Sequence, residues 1–402
     1  MENKNVRQVN RANNRRYAEG NRYVDYCVYA TLVCNFLILL GNPLKIDFLV
    51  SFGTRIMVVF ILLLAILHFV KCFQKDAVDL LDALFVAVVV CSGICYIITT
   101  FPNVVARSVS YMCFLTLPAY ITLYRNAKQV RKLKIAIYTA NMAVLGLFIW
   151  LSFSKYSHIF YGEYGEEIID ELTLGYGNPN ETGMYLFASF VIMLCAFVDS
   201  KKKTYKWITL AGTVILAYMV LKTESRICIV ITAILIAVMV FRPLEKVLKK
   251  CQGIVLMLPL GAVAFTMVVS AAVLEWKFLG DLLDTGRKMM FLSFFNRAAP
   301  IDYVLGNYIA YGGSNLHNSF LSLTAMFGVP VTLLYFRFLK QALRVYGGKL
   351  NSRVSNIAFV GILAMIVHGI AEGTFLVAGA VFAGLGGLLF VLTLPDHEGN
   401  SV

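Results

Sequence analysis

Two arginines and a histidine are the side chains most able to do chemistry together. Arg226 opens an apolar run in LKTESRICIV, Arg287 sits in LLDTGRKMMF, and His317 stands in NLHNSFLSL, where a polar segment meets a long apolar one. A guanidinium keeps its charge at any working pH and grips a phosphate through two parallel N–H bonds. Imidazole titrates near pH ~6.5, so at neutral pH it is suited to take a proton from an attacking hydroxyl, an effect worth roughly 10²–10⁴-fold in rate. These groups fit transfer from a phosphate-activated donor. A diphosphate departs without a proton, so the reaction needs cations and a base but no acid, and preorganised charge on the departing phosphates commonly contributes more than the base. Each residue also has a plain structural reading: the arginines snorkel to an interface, and the histidine marks a helix end.

Further polar residues gather around the same kind of seam. GYGNPNETGMYL carries Asn178, Asn180 and Glu181 at a turn and helix start, where amides and a carboxylate are able to hydrogen-bond sugar hydroxyls. Arg55, in SFGTRIMVV, falls near the end of an apolar run and is a second-rank candidate for the same cavity or for a diphosphate. Asn318 is expected both to cap the helix after His317 and to contact substrate. His368 and Glu372, four apart in VHGIAEGTF, are expected to share a helix face and pair, and both stand among the substrate-binding candidates. His68 reads as structural, and His158 lies in an acidic loop without an evident partner. HExxH, paired-cysteine, DxD-like and GxxxxGK patterns are absent, so neither a metal nor a cofactor is expected.

The elements that must position these groups are membrane spans. Of the 402 residues, 59% are hydrophobic and 15% charged, against about 45–50% and about 25% in soluble domains. Apolar runs near 24–41, 48–70, 80–99, 104–124, 133–152, 179–198, 205–221, 225–241, 252–274, 318–339, 354–371 and 375–394 predict an all-α, polytopic membrane protein of about 12 transmembrane helices. The nine cysteines lie in or beside these runs and read as small buried apolar residues, not as a disulfide framework.

The net charge of +13 is a topology signal rather than a nucleic-acid footprint. Most Lys and Arg fall in alternate connections, such as RNAKQVRKLK and DSKKKTYK, which the positive-inside rule assigns to the cytoplasm. Contact with anionic lipid headgroups follows from the same charge. The expected organisation is a basic cytoplasmic tail over 1–23, a single transmembrane domain over 24–394 and a cytoplasmic tail over 395–402. Two long outer loops interrupt it, an acidic one at 153–178 and a larger one at 275–317. The larger loop, between the spans at 252–274 and 318–339, is expected to form short helices lying on the membrane surface. Arg226, Arg287 and His317 all fall at the outer surface on this topology.

The combination of Ser225-Arg226 opening a helix, Gly286-Arg287 in a long outer loop and His317-Asn318 before the next helix resembles the O-antigen ligase and polymerase superfamily of bacterial membrane glycosyltransferases. Asn178-Pro179-Asn180 is similar to the asparagine-rich turn of many members. The family usually has Trp four residues after its loop arginine, where this chain has Phe291. The resemblance implies a donor glycan on undecaprenyl diphosphate, a glycan acceptor deprotonated by His317, and Arg226 and Arg287 holding the departing diphosphate at the outer leaflet of the bacterial inner membrane. A chain-length regulator and a flippase are the partners it suggests. Polymerase and ligase stay open as alternatives, because acceptor identity is not written in these motifs. A lipid-linked-sugar transporter is a third reading, which would call for charges deep in the spans and two similar halves.

Overall fold

A computed structural model describes residues 22–74, 78–162, 165–241, 247, 248, 250–272, 293–311, 316–370, 372 and 380–396. Arg287, the glycines at 312 and 313, and nearly all of both terminal tails lie outside these residues.

The described chain is almost wholly helical. In order, the elements are α1 (Arg22–Gly41), α2 (Asp47–Gln74), α3 (Leu80–Thr100), α4 (Val104–Tyr124) and α5 (Val130–Ser152), then strands β1 (Ile159–Gly162) and β2 (Gly165–Ile168). These are followed by α6 (Pro179–Asp199), α7 (Lys203–Lys222), α8 (Arg226–Val240), α9 (Gln252–Ala272), α10 (Asp302–Leu305) and α11 (Tyr308–Tyr311). The last three are α12 (Ser319–Gly347), α13 (Arg353–His368) and α14 (Ala380–Thr393). Among the described residues, eight helices are long and apolar enough to cross a membrane, and four shorter apolar helices, α8, α9, α13 and α14, accompany them. Phe52, Ile56, Val59, Leu63, Ile66 and Phe73 form an exposed apolar stripe along α2. A soluble protein would not leave such a stripe in water. This is a multi-pass helical membrane protein.

The buried centre is made of α6, α13 and α14. All of α14 is buried, and α6 packs against α5, α7, α8, α13 and α14. Capping residues set where helices begin: Asp79 and Ser352 form capping boxes for α3 and α13, and Asn178 with Pro179 at the first position starts α6.

Connections alternate between two ends of the bundle. At one, the basic end, Arg125 pairs with Asp79 and Asp82, and Arg131 pairs with Asp199. Lys134 Nζ donates to Leu394 O at 2.8 Å, and Asp25 accepts from Lys128 N at 2.8 Å. His68 belongs here too, with Nε2 3.5 Å from Asp82 and Nδ1 3.4 Å from the Tyr23 hydroxyl. The other, the site end, gathers the 42–46 turn, the 153–178 loop, the 223–225 turn, the approach to α12 and the turn after α13. Tyr176 there donates to Leu39 O at 2.8 Å, and Leu172 N donates to Lys222 O at 2.9 Å.

One feature departs from the all-α expectation: the acidic loop carries an antiparallel strand pair, with Phe160 opposite Glu167 and Ile159 opposite Ile168. Two short helices, α10 and α11, form within the 275–317 stretch and pack against α12, α11 also against α3. Gly328 (φ 79°) and Pro330 break α12, which leaves carbonyls of the preceding turn without helical donors. Asn307 N donates to one of them, Ala325 O, at 2.7 Å. Gly306 (φ 74°) and Gly328 meet backbone to backbone: a Cβ on either would overlap the other segment's main chain. Tyr308 is buried beside Tyr96, Tyr111 and Phe327, and each such aromatic pair contributes about 0.5–1.5 kcal/mol beyond area burial.

The eight cysteines whose side chains are described are free and buried or half-buried, as expected of small apolar residues.

Candidate functional site

Four helix boundaries converge at the site end: the starts of α6, α8 and α12 and the end of α13. α13 stops at His368, where Gly369 caps it, so Glu372 lies beyond the helix on which its i, i+4 spacing from His368 would place it. The chain turns instead, Glu372 N bonding His368 O at 3.1 Å, and the turn docks on the start of α12 through Ser319 N to Gly369 O at 2.8 Å.

This docking brings Glu372 to His317. His317 Nδ1 lies 2.9 Å from Glu372 Oε1. Glu372 is 1% exposed, whereas the His317 side chain is 29% exposed, so the carboxylate sits behind the imidazole. An ionised carboxylate only accepts, so in this pair Nδ1 is the donor. The same Oε1 accepts from Asn180 Nδ2 at 3.0 Å, and Asn180 Oδ1 accepts from Ser225 Oγ at 2.7 Å. A continuous chain therefore runs Ser225–Asn180–Glu372–His317 and joins the start of α8 to the seam before α12.

Arg226 is the first residue of α8, next to Ser225, and is exposed. The hydroxyl of Ser225 serves Asn180 in place of capping its own helix. The sequence patterns placed Arg226, Asn180, Glu372 and His317 at one surface, and the fold gathers them at one end of the bundle. Asn178 Oδ1 accepts from Asn180 N at 2.8 Å and holds the turn. Asn318 is fully buried: Oδ1 caps α12 through Leu321 N at 3.1 Å, and Nδ2 donates to Pro259 O and Ile370 O at 2.9 and 3.3 Å. Its amide is thus spent on backbone and positions His317; a substrate contact from it is not supported. Arg55 is exposed two turns into α2 and takes no part in the hydrogen-bond chain. His368 is fully buried at the end of α13. His158 has a backbone partner after all, Glu171 O at 3.2 Å from Nδ1.

Backbone strain concentrates here. Among the described residues, four non-glycines have φ in the left-handed region: Lys45, Leu174, Glu224 and His317. Each costs of order 1–2 kcal/mol, and all four are at the site end, Glu224 just before Ser225 and His317 at the seam itself. Surrounding contacts must hold such residues, and the Glu372 bond is one of them for His317.

A cleft of about 320 Å³ opens beside the first turn of α6, lined by Asn42, Lys45, Phe160, Tyr176, Asn178 and Glu181 among others. Glu181 Oε1 accepts from the Tyr185 hydroxyl at 2.7 Å. Asn42, Lys45 and Phe160 carried no sequence signal, since their nearness to Glu181 depends on how the loop folds.

The fold and this polar chain define a multi-pass helical membrane protein with a hydrogen-bonded histidine–carboxylate pair at one end. Compared with known proteins, the chain matches no family model, no curated protein and no solved structure.

Proposed function

We propose that this chain is a bacterial polysaccharide polymerase of the O-antigen ligase and polymerase type, joining oligosaccharide repeat units carried on undecaprenyl diphosphate. The observation that carries the reading is the His317–Glu372 pair: a part-exposed imidazole with one nitrogen held by a buried carboxylate. Glu372 orients the ring and stabilises the imidazolium that forms when His317 takes the acceptor proton. The acceptor oxygen then attacks the anomeric carbon, and the bond from that carbon to the diphosphate oxygen breaks with its electron pair leaving on the diphosphate. Arg226, with Arg287 as its intended companion, compensates that charge. A direct displacement of this kind inverts the anomeric configuration.

In this reading all twelve apolar helices span the cytoplasmic membrane. The basic end faces the cytoplasm and the site end the periplasm or cell exterior, in keeping with the positive-inside rule. A flippase would deliver the lipid-linked units, and a chain-length regulator would act on the product.

The test incubates purified protein with lipid-linked repeat units and a chelator, without nucleotide sugar. A ladder of longer glycans supports the polymerase. Transfer only to a distinct lipid acceptor would assign the ligase chemistry instead. Movement of intact lipid-linked sugar between leaflets with no new glycosidic bond would refute the transferase.

A further inference from the structure

The cleft beside α6 holds no part of the His317–Glu372 chain, yet it is built from polar groups with a definite ligand chemistry. Its floor is the Tyr176 ring, fixed by its hydroxyl bond to Leu39 O and by an edge contact to Tyr185 at 4.9 Å between ring centroids. Tyr185 in turn donates to Glu181, so floor and carboxylate stiffen one another. One wall is Phe160 on β1. The lining also takes in the α1–α2 turn, with Asn42 and Lys45, which the Lys45–Glu166 ion pair ties to β2. Lys45 and Leu174 adopt left-handed backbone at its edge, and Gly175 (φ 78°) packs against Pro43.

Two aromatic rings, two amides and a carboxylate are what a neutral, hydroxyl-rich ligand needs: ring faces for C–H surfaces, and donors and acceptors for hydroxyls. An anion is disfavoured, because Glu166 already neutralises Lys45 and the other polar groups of the lining, two amides and the Glu181 carboxyl, supply no positive charge. A lipid tail is disfavoured by the same polar lining. The volume lies at the small end of ligand sites, about 300–1,000 Å³, and has room for a sugar ring or two.

We infer that this cleft seats a sugar of the acceptor glycan, while the diphosphate of the donor goes to the arginines. The inference rests on the transferase reading above for the word acceptor, and on the cleft alone for the sugar. Successive residues on a helix diverge by about 100°. Asn180 and Glu181 therefore serve neighbouring faces of one turn, the first holding Glu372 and the second lining the cleft. Asn178, in the lining of the cleft, accepts from Asn180 N, and the Asn180 side chain holds Glu372, so the cleft and the His317–Glu372 pair share one turn.

The experiment separates binding from transfer. Oligosaccharide is released by mild acid from the producing cell's lipid-linked repeat units and added to purified protein in lipid nanodiscs. Saturation-transfer NMR then reads its binding to wild type, Asn42→Ala, Phe160→Ala and Gly146→Ala, each checked for folding by thermal melting. Wild type and Gly146→Ala, whose added Cβ meets nothing, should bind alike. Asn42→Ala and Phe160→Ala should each bind about fivefold more weakly, the effect of losing one hydrogen bond or ring contact. Unchanged binding in both folded cleft variants, or no binding to wild type, would overturn the inference. Binding through the cleft without any lengthening of glycan by wild type would sink the transferase reading and leave the sugar site standing.

Discussion

His317 and Glu372, 55 residues apart in the chain, meet through Nδ1 and Oε1 at 2.9 Å, with the carboxylate buried and the imidazole part-exposed. The pair forms only because α13 stops at His368 and its following turn docks on Ser319. If the carboxylate orients the base, Glu372→Gln should leave the protein folded while transfer falls by about 10²–10⁴-fold, the range of a lost acid–base contribution. Turnover of the purified variant checks this, with Glu372→Asp expected to recover part of the rate.

Ser225 acts one step further back, through Asn180. Ser225→Ala removes one buried hydrogen bond worth about 1 kcal/mol, so the expected loss is about fivefold in kcat with KM for the donor little changed. A rise in KM alone would show that Ser225 serves binding.

The break in α12 is required by the α10–α11 segment that fills it. Gly328→Ala forces a left-handed backbone on a residue with a Cβ and drives that Cβ into the main chain at Val304. The expected loss is several kcal/mol, seen as failure to recover monodisperse protein in detergent. Gly146→Ala, where the added Cβ meets nothing, should be tolerated.

At the basic end, Arg125 is buried between Asp79 and Asp82. Arg125→Met leaves the Asp82 carboxylate buried without its cation and should cost about 3–5 kcal/mol. Adding Asp82→Asn should recover part of it, as thermal melting in the same detergent would show.

Lys349, just beyond α12, has its ammonium pushed down to about 8 by burial and by nearby Arg125, with Asp79 opposing. The folded state thus binds this proton less readily than the unfolded chain, whose lysine titrates near pH ~10.4. Stability should therefore rise as pH climbs from about 8 towards that value and be flat for this group below it. Lys349→Met should remove that slope in melting curves taken across the window.

Much of the bundle is legible in the sequence because the bilayer imposes a length on every helix. The runs at 104–124 and 179–198 match α4 and α6 almost residue for residue. The 318–339 run reads as one unbroken span; the break in α12 at Gly328 and Pro330, and the long-range contact that fills it, come from the fold. The residue types of the site are also legible, as His317, Arg226, Asn180 and Glu372 show. Their pairing is not: Asn180 and Glu372 lie 192 residues apart, and only the packing of α6 against α13 joins them. The helical spacing of His368 and Glu372 did not foretell the contact with His317, because Gly369 ends the helix before Glu372.

The central claim is that His317 is the base of a glycosyl transfer from a diphosphate-linked donor. It is tested most directly by quantifying glycosidic bond formation from purified lipid-linked repeat units by wild type and by folded, membrane-inserted His317→Ala. The account predicts longer glycans from wild type and a rate lower by about 10²-fold or more in the variant. Near-normal lengthening by His317→Ala would contradict it.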